Sequence, residues 1–211
     1  INRRRALAFG SLAAAGAFLR PDGVAAQEVA KQLIFRTEDP RNAEPELGDL
    51  VKSWLTPTKH FYVRSHAPNP QIDPAAFRLR VEGLVQRPAT FSLAELERYT
   101  RRDTVATLTC AGNRRAEYNA EGKVGGVQWG PGAIGNAEWS GYLLADLLKH
   151  VEVKSEAKHV WFEGLDEIEK GGGIIPFGGS IPIDKAMTAE GAGTPLLVDR
   201  MNGAALTPDH G

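Results

Sequence analysis

The chain has 211 residues, 25 of them Lys or Arg and 26 Asp or Glu, giving a formal net charge of −1. That balance excludes a general nucleic-acid binder, which needs a basic excess, and a 42% hydrophobic content excludes a wholly disordered chain. A single cysteine excludes an internal disulfide, a Cys-x-x-Cys-His haem attachment and any cysteine-rich zinc site within these residues.

Arg3-Arg4-Arg5 is a basic start, followed by a weakly apolar stretch from Ala6 to Phe18. At 13 residues that stretch is too short for a membrane span, which needs about 20. Val24-Ala25-Ala26 offers small residues for a signal peptidase, so cleavage is expected after Ala26. Arg4-Arg5-Ala6-Leu7 resembles a twin-arginine export signal, which implies a periplasmic destination. Residues 27–60 read as an arm: the charged, proline-broken run from Glu38 to Pro45 predicts neither helix nor strand.

Regular patterning begins at Phe61. Phe77, Leu79 and Val81 alternate with Arg78, Arg80 and Glu82, predicting a half-buried strand that ends at Gly83. Ser92-x-x-Glu95 is a capping box opening a short helix through Tyr99. Thr104 to Cys110 is rich in β-branched residues and reads as a strand with Ala106, Leu108 and Cys110 on one face. Leu143, Leu144, Leu147 and Leu148 recur at helical spacing. His159–Glu163 and Leu196–Met201 read as strands, and Asn202-Gly203 predicts a tight hairpin because both residues tolerate a positive φ. Strands that are not separated by regular helices predict an α+β fold of mixed sheets and short helices.

Gly130-Pro131-Gly132-Ala133-Ile134-Gly135 matches the dinucleotide-binding pattern, but no amphipathic helix follows, and the segment reads as a glycine-rich surface loop. Gly171-Gly172-Gly173 and Gly178-Gly179 mark sharp turns or close approaches of the backbone. Cys110 is more informative. It ends a strand and runs into Ala111-Gly112-Asn113-Arg114-Arg115, where the guanidinium groups favour a thiolate and can hold an anion. Such a thiolate suits a soft-metal ligand or a nucleophile.

The segment Thr107 to Arg115 resembles the cofactor-binding segment of the sulfite oxidase family of molybdenum enzymes, which includes the molybdenum domain of eukaryotic nitrate reductase. Phe61 to His66, Phe162 to Asp166, Ser180-Ile181-Pro182, Met201-Asn202-Gly203 and Asp209-His210-Gly211 follow that family's order, so the resemblance covers roughly residues 60 to 211. It implies a molybdopterin-binding catalytic domain over residues 61–211, with Cys110 as the protein's ligand to molybdenum. Tyr62, Val63, Arg64, Ser65, His66, Asp166 and His210 would contact the pterin or its phosphate, and Arg64 and Arg115 would present positive charge to an oxyanion. The implied reaction is oxidation of sulfite to sulfate by oxygen-atom transfer. Electrons would leave to a separate acceptor, a c-type cytochrome, since these residues carry no haem module. The resemblance also implies further contacts and an immunoglobulin-like dimerisation domain beyond Gly211. Three other readings fit the residues: the same cofactor reducing nitrate or an S-oxide, a metal-free thiol hydrolase using Cys110 and His210, and a non-catalytic exported binding module.

Overall fold

The computed structural model describes residues 33–210. The arginine-rich start and the expected cleavage after Ala26 lie outside them, as does Gly211. Among the described residues every strand pairing is antiparallel, and the architecture is α+β, with four small sheets and a few short helices.

The first sheet is built from β1 (Leu33–Thr37), β2 (Asn42–Pro45) and β3 (Val63–Arg64), in that spatial order. This corrects the expectation that the run from Glu38 to Pro45 forms neither helix nor strand. The prolines delimit strands instead of forbidding them: Pro40 sits in the turn between β1 and β2, and Pro45 ends β2. All of β2 is buried, including the side chains of Asn42 and Glu44. A four-residue helix, α1 (Leu47–Leu50), follows.

β4 (Leu79–Val81) and β5 (Ala89–Phe91) form a hairpin. Leu79 and Val81 are half-buried and Arg80 is exposed, as the alternation predicts, although the strand starts two residues after Phe77. The capping box forms at α2 (Leu93–Leu96): the Ser92 hydroxyl accepts from Glu95 N at 3.3 Å, and the Glu95 carboxylate accepts from Ser92 N at 2.8 Å.

The largest sheet joins β6 (Arg101–Thr109), β7 (Ile134–Leu143), β10 (Leu196–Met201) and β11 (Ala204–Ala205), ordered β11-β10-β7-β6. β6 is an edge strand, so Leu108 is 45% exposed while Ala106 packs toward the core. Asn202 and Gly203 take φ of 51° and 78° in the β10–β11 turn, the positive values the hairpin requires.

Helix α3 (Leu144–His150) buries Leu144, Ala145, Leu147 and Leu148. The three leucines pack against Val85, Phe91, Leu96, Tyr142 and Val151 in one core. A second core of Phe61, Ala137, Trp139 and Met201 lies under the main sheet and holds the β3 approach in place. β8 (His159–Lys170) and β9 (Gly173–Pro182) make a long separate hairpin, turned by Gly171 and Gly172 with φ of 62° and 81°. A last short helix, α4 (Ile183–Ala186), follows β9. No helix among the described residues is long and apolar enough to cross a membrane.

Candidate active site

Cys110 follows directly on β6 at the main sheet's edge, where its N–H donates to Ala133 O at 2.9 Å. The chain then turns sharply: Asn113 N donates to Cys110 O and Arg115 N to Gly112 O. Arg114 adopts a left-handed φ of 65°. The Cys110 sulfur is half-buried and accepts from Gly112 N at 3.4 Å, a backbone dipole directed at the thiol. Main-chain bonds fix the turn from below, with Arg114 N donating to Gly130 O at 2.8 Å and Ala116 N to Trp129 O at 2.9 Å.

The two arginines of the turn part company. Arg114 is 64% exposed and forks onto the Glu117 carboxylate, which keeps it out of the site. Arg115 folds back inside. Its Nη1 donates to Val127 O at 3.0 Å, and its guanidinium lies flat across two glycines. A Cβ at Gly112 would stand 2.8 Å from Arg115 Nη2, and one at Gly126 would stand 2.6 Å from Nη1. Glycine at both positions is what allows the guanidinium to settle there.

Arg115 shares a hollow of about 320 Å³ with Arg64, Ser65 and His66, together with Thr37, Pro40, Asn42, Gly126 and Val127. Arg64 ends β3, and its aim is set from the first sheet. Its Nη1 donates to Asn42 Oδ1 at 3.2 Å and to its neighbour Ser65 O, while Ser65 N donates to the same Asn42 oxygen at 3.1 Å. Asn42 is in turn held by its own amide, which donates to Thr37 Oγ1 and Pro40 O.

His66 stacks on Phe177 of β9, with ring centroids 4.4 Å apart. Burial holds its pKa below the ordinary histidine value. The Arg64 charge pushes the same way and the Asp166 carboxylate opposes it. Asp166 does not line the hollow; it lies where β8 is irregular, four steps from Glu163 to Glu167 opposing only two on β9, from Gly178 to Pro176. A bulge of this kind re-aims the side chains within it.

Tyr62 stacks on Phe61 and meets Trp129 edge-on, and burial, together with the Cys110 sulfur, raises its phenol pKa. Val63 is buried in the core, so it can offer a ligand only its backbone. His210 lies off the Arg64–Arg115 hollow, edge-on to Phe61 at 5.6 Å. Its Nδ1 pairs with Thr207 Oγ1 at 2.8 Å, and its buried Nε2 has no side-chain or backbone partner within hydrogen-bond geometry among the described residues. Burial lowers its pKa, against the opposing charge of Asp209. Asp209 is tied to Arg41 at 2.9 Å and to Asn69 at 3.1 Å.

The Gly130–Gly135 segment is not a surface loop. Gly130, Gly132 and Ala133 are buried, and the loop lies beneath the Cys110 turn. Sequence reasoning also missed Asn42, Thr37 and Glu44, all in the supposed arm. The one local sign was an uncharged Asn-Ala step next to a glutamate in an otherwise charged run.

Residues 66–211 match the model of the oxidoreductase molybdopterin-binding domain. Sulfite oxidase from Gallus gallus is 42% identical over 182 residues, covering 84% of this chain and 39% of that protein. The NADPH nitrate reductase of Emericella nidulans is 39% identical over 177 residues, covering 82% of this chain and 20% of that protein. Among solved structures, the sulfane dehydrogenase SoxCD of Paracoccus pantotrophus aligns over 97% of this chain and 49% of that one, with 27% identity and a TM-score of 0.69. The chain thus spans half or less of the length of each of these relatives. The matched residues include the Cys110 turn with its inward Arg115 and begin two residues after Arg64, and the chain belongs to the oxidoreductase molybdopterin-binding domain family.

Proposed function

We propose that the full-length protein oxidises sulfite to sulfate by oxygen-atom transfer at a molybdenum cofactor held in part by Cys110. The residues present fit that group. Cys110 offers one soft sulfur ligand beside a backbone N–H. Among the described residues no three His, Cys, Asp or Glu side chains gather into a metal-holding cluster, and a single protein thiolate suits a metal whose cofactor brings ligands of its own. Molybdopterin, with two dithiolene sulfurs, is such a group. His210 Nε2, buried without a partner among the described residues, and the hollow beside Ser65 and His66 offer polar anchors for its pterin and phosphate.

The cofactor, when bound, supplies the two-electron oxidation and the transferred oxygen. The chain's own residues handle the anion. Arg64 and Arg115 carry permanent positive charge on one hollow, and their planar forks can each pair with two oxygens of an oxyanion. Asn42 fixes the Arg64 fork, and the Gly112–Gly126 cradle fixes that of Arg115. His66, with its lowered pKa, stays neutral near pH 7 and adds a polar edge without competing for the anion's charge. Tyr62, with its raised pKa, stays a hydroxyl donor beside the sulfur ligand.

The convergence of the two arginines on one hollow, one of them five residues from the thiol, carries this reading. Similarity alone leaves direction open, because a sulfite oxidase and a nitrate reductase match almost equally well. The test compares turnover of molybdenum-loaded, full-length protein with sulfite plus an oxidised acceptor against nitrate plus a reduced donor. The proposal predicts turnover with sulfite, and turnover with nitrate alone would overturn it. Export to the periplasm and electron delivery to a separate c-type cytochrome belong to the same proposal. The export step rests on Arg4-Arg5 and the small residues before Gln27. A mature N-terminus that retains Arg4-Arg5 would rule out the export step.

A further inference from the structure

A buried carboxylate sits beneath the cysteine turn without touching it. Glu44, on β2, is 1% exposed and is bound on three sides. Arg36 Nε donates to Oε1 at 2.5 Å, Gly130 N donates to Oε1 at 2.6 Å, and Gly132 N donates to Oε2 at 2.7 Å. The Gly-x-Gly pattern of this loop therefore does bind an anion, and the anion is a side chain of the same protein.

The bonds continue upward from the loop. Gly130 O accepts from Arg114 N, and Ala133 O accepts from Cys110 N. Ala133 N donates to Asn113 Oδ1 at 3.1 Å. Each peptide pinned by Glu44 is thus one or two residues from a peptide that pins the turn bearing Cys110 and Arg115. The fit is close: a Cβ at Gly132 would stand 2.5 Å from Pro45 O and 3.0 Å from Glu44 Oε2.

We propose that Glu44 is a positioning residue, whose carboxylate holds the Gly130–Ala133 loop and through it sets the Cys110–Arg115 turn for the molybdenum cofactor. A carboxylate is required because both oxygens accept. Two backbone N–H groups and a guanidinium converge on it, and a neutral amide would turn an NH₂ group toward one of these donors. The inference rests on Cys110 being the metal ligand, and its test is read without turnover.

The test is hydrogen exchange on full-length, molybdenum-loaded protein, comparing wild type with Glu44→Gln and Gly132→Ala, and with Leu147→Ala as a control in the distant core. Glu44→Gln removes the paired charge, whereas Gly132→Ala keeps it and displaces the loop. Both are expected to raise amide exchange across residues 110–116 by about tenfold or more, leave residues 144–148 within about twofold, and lower molybdenum per chain. Leu147→Ala is expected to show the opposite distribution. If Glu44→Gln protein fails to accumulate, Glu44→Asp, with a shorter reach and the same charge, reads the same amides.

Exchange that rises equally everywhere, or not at all across residues 110–116, would overturn the positioning role. Wild-type protein that binds no molybdenum while its variants show the local exchange would instead leave the clamp intact and remove Cys110 from the metal.

Discussion

Replacing Gly112 by alanine isolates what the inward arginine contributes. The backbone at Gly112 lies outside the left-handed region, so alanine meets no conformational penalty there. Its methyl would stand 2.8 Å from Arg115 Nη2, 2.9 Å from Cζ and 3.0 Å from Nη1, well inside the roughly 3.5–4.0 Å of favourable contact. The crowding group is the far end of a flexible side chain, so the guanidinium moves and the fold stays. The loss of the Val127 contact costs about 1 kcal/mol, offset in part by about 0.4–1 kcal/mol from a less flexible unfolded chain. The melting temperature should therefore stay within about 4 °C of wild type. Catalysis should suffer more. Hydrogen bonds from a charged donor contribute about 1.5–3 kcal/mol each, which corresponds to a fall in kcat/KM for sulfite of about 10- to 150-fold. The assay is steady-state oxidation of sulfite with an artificial acceptor, alongside molybdenum content and thermal unfolding. A kcat/KM within about twofold of wild type, with full molybdenum content, would show that Arg115 does not hold the substrate.

Stability should fall with acid in a defined window. His66 and His210 both have folded pKa values below the ordinary histidine value near 6.5, so the unfolded chain binds more protons. The stability they contribute is present above about pH 6.5 and is lost as pH falls through that value toward the lowered ones. Thermal unfolding between pH 8 and pH 5 should show this slope, and His210→Gln should flatten it; an unchanged slope would argue against a buried neutral His210. At the β10–β11 turn, Asn202→Ala should cost about 2–3 kcal/mol. It places alanine at a φ of 51° and strips the side-chain bonds to Glu138 N (3.1 Å) and Thr56 O (2.9 Å). Asn202→Gly relieves the backbone alone and should recover about half of that cost in denaturant unfolding. Equal losses in the two variants would mean that backbone strain plays no part.

What the sequence revealed and what it hid differ in the range of the interactions involved. The capping box at Ser92, the leucine face of α3 and the Asn202-Gly203 hairpin depend on neighbours within a few residues, and local patterns display them. The Cys110 turn was legible for another reason: its glycine and arginine chemistry is concentrated in six consecutive residues. Glu44 was hidden because its partners Gly130 and Gly132 lie 86 and 88 residues downstream, and a glutamate among prolines carries the local signature of an exposed linker. The glycine loop has the local pattern of a surface loop for the complementary reason, since its ligand is on another strand. The resemblance points to Asp166, but the bulge in which it sits is a mismatch between β8 and β9 and leaves no periodic trace in either strand. Arg114 and Arg115 are identical in type and adjacent, and only the fold separates them: a left-handed residue sends one to Glu117 and the other onto Gly112 and Gly126.

The most direct test of the account is the molybdenum environment of the full-length protein, read by X-ray absorption in wild type and in Cys110→Ser. About one molybdenum per chain is expected in wild type, with one fewer sulfur around the metal in the variant. The same sulfur count in both would contradict the assignment of Cys110, and with it the arrangement of the arginines around that site.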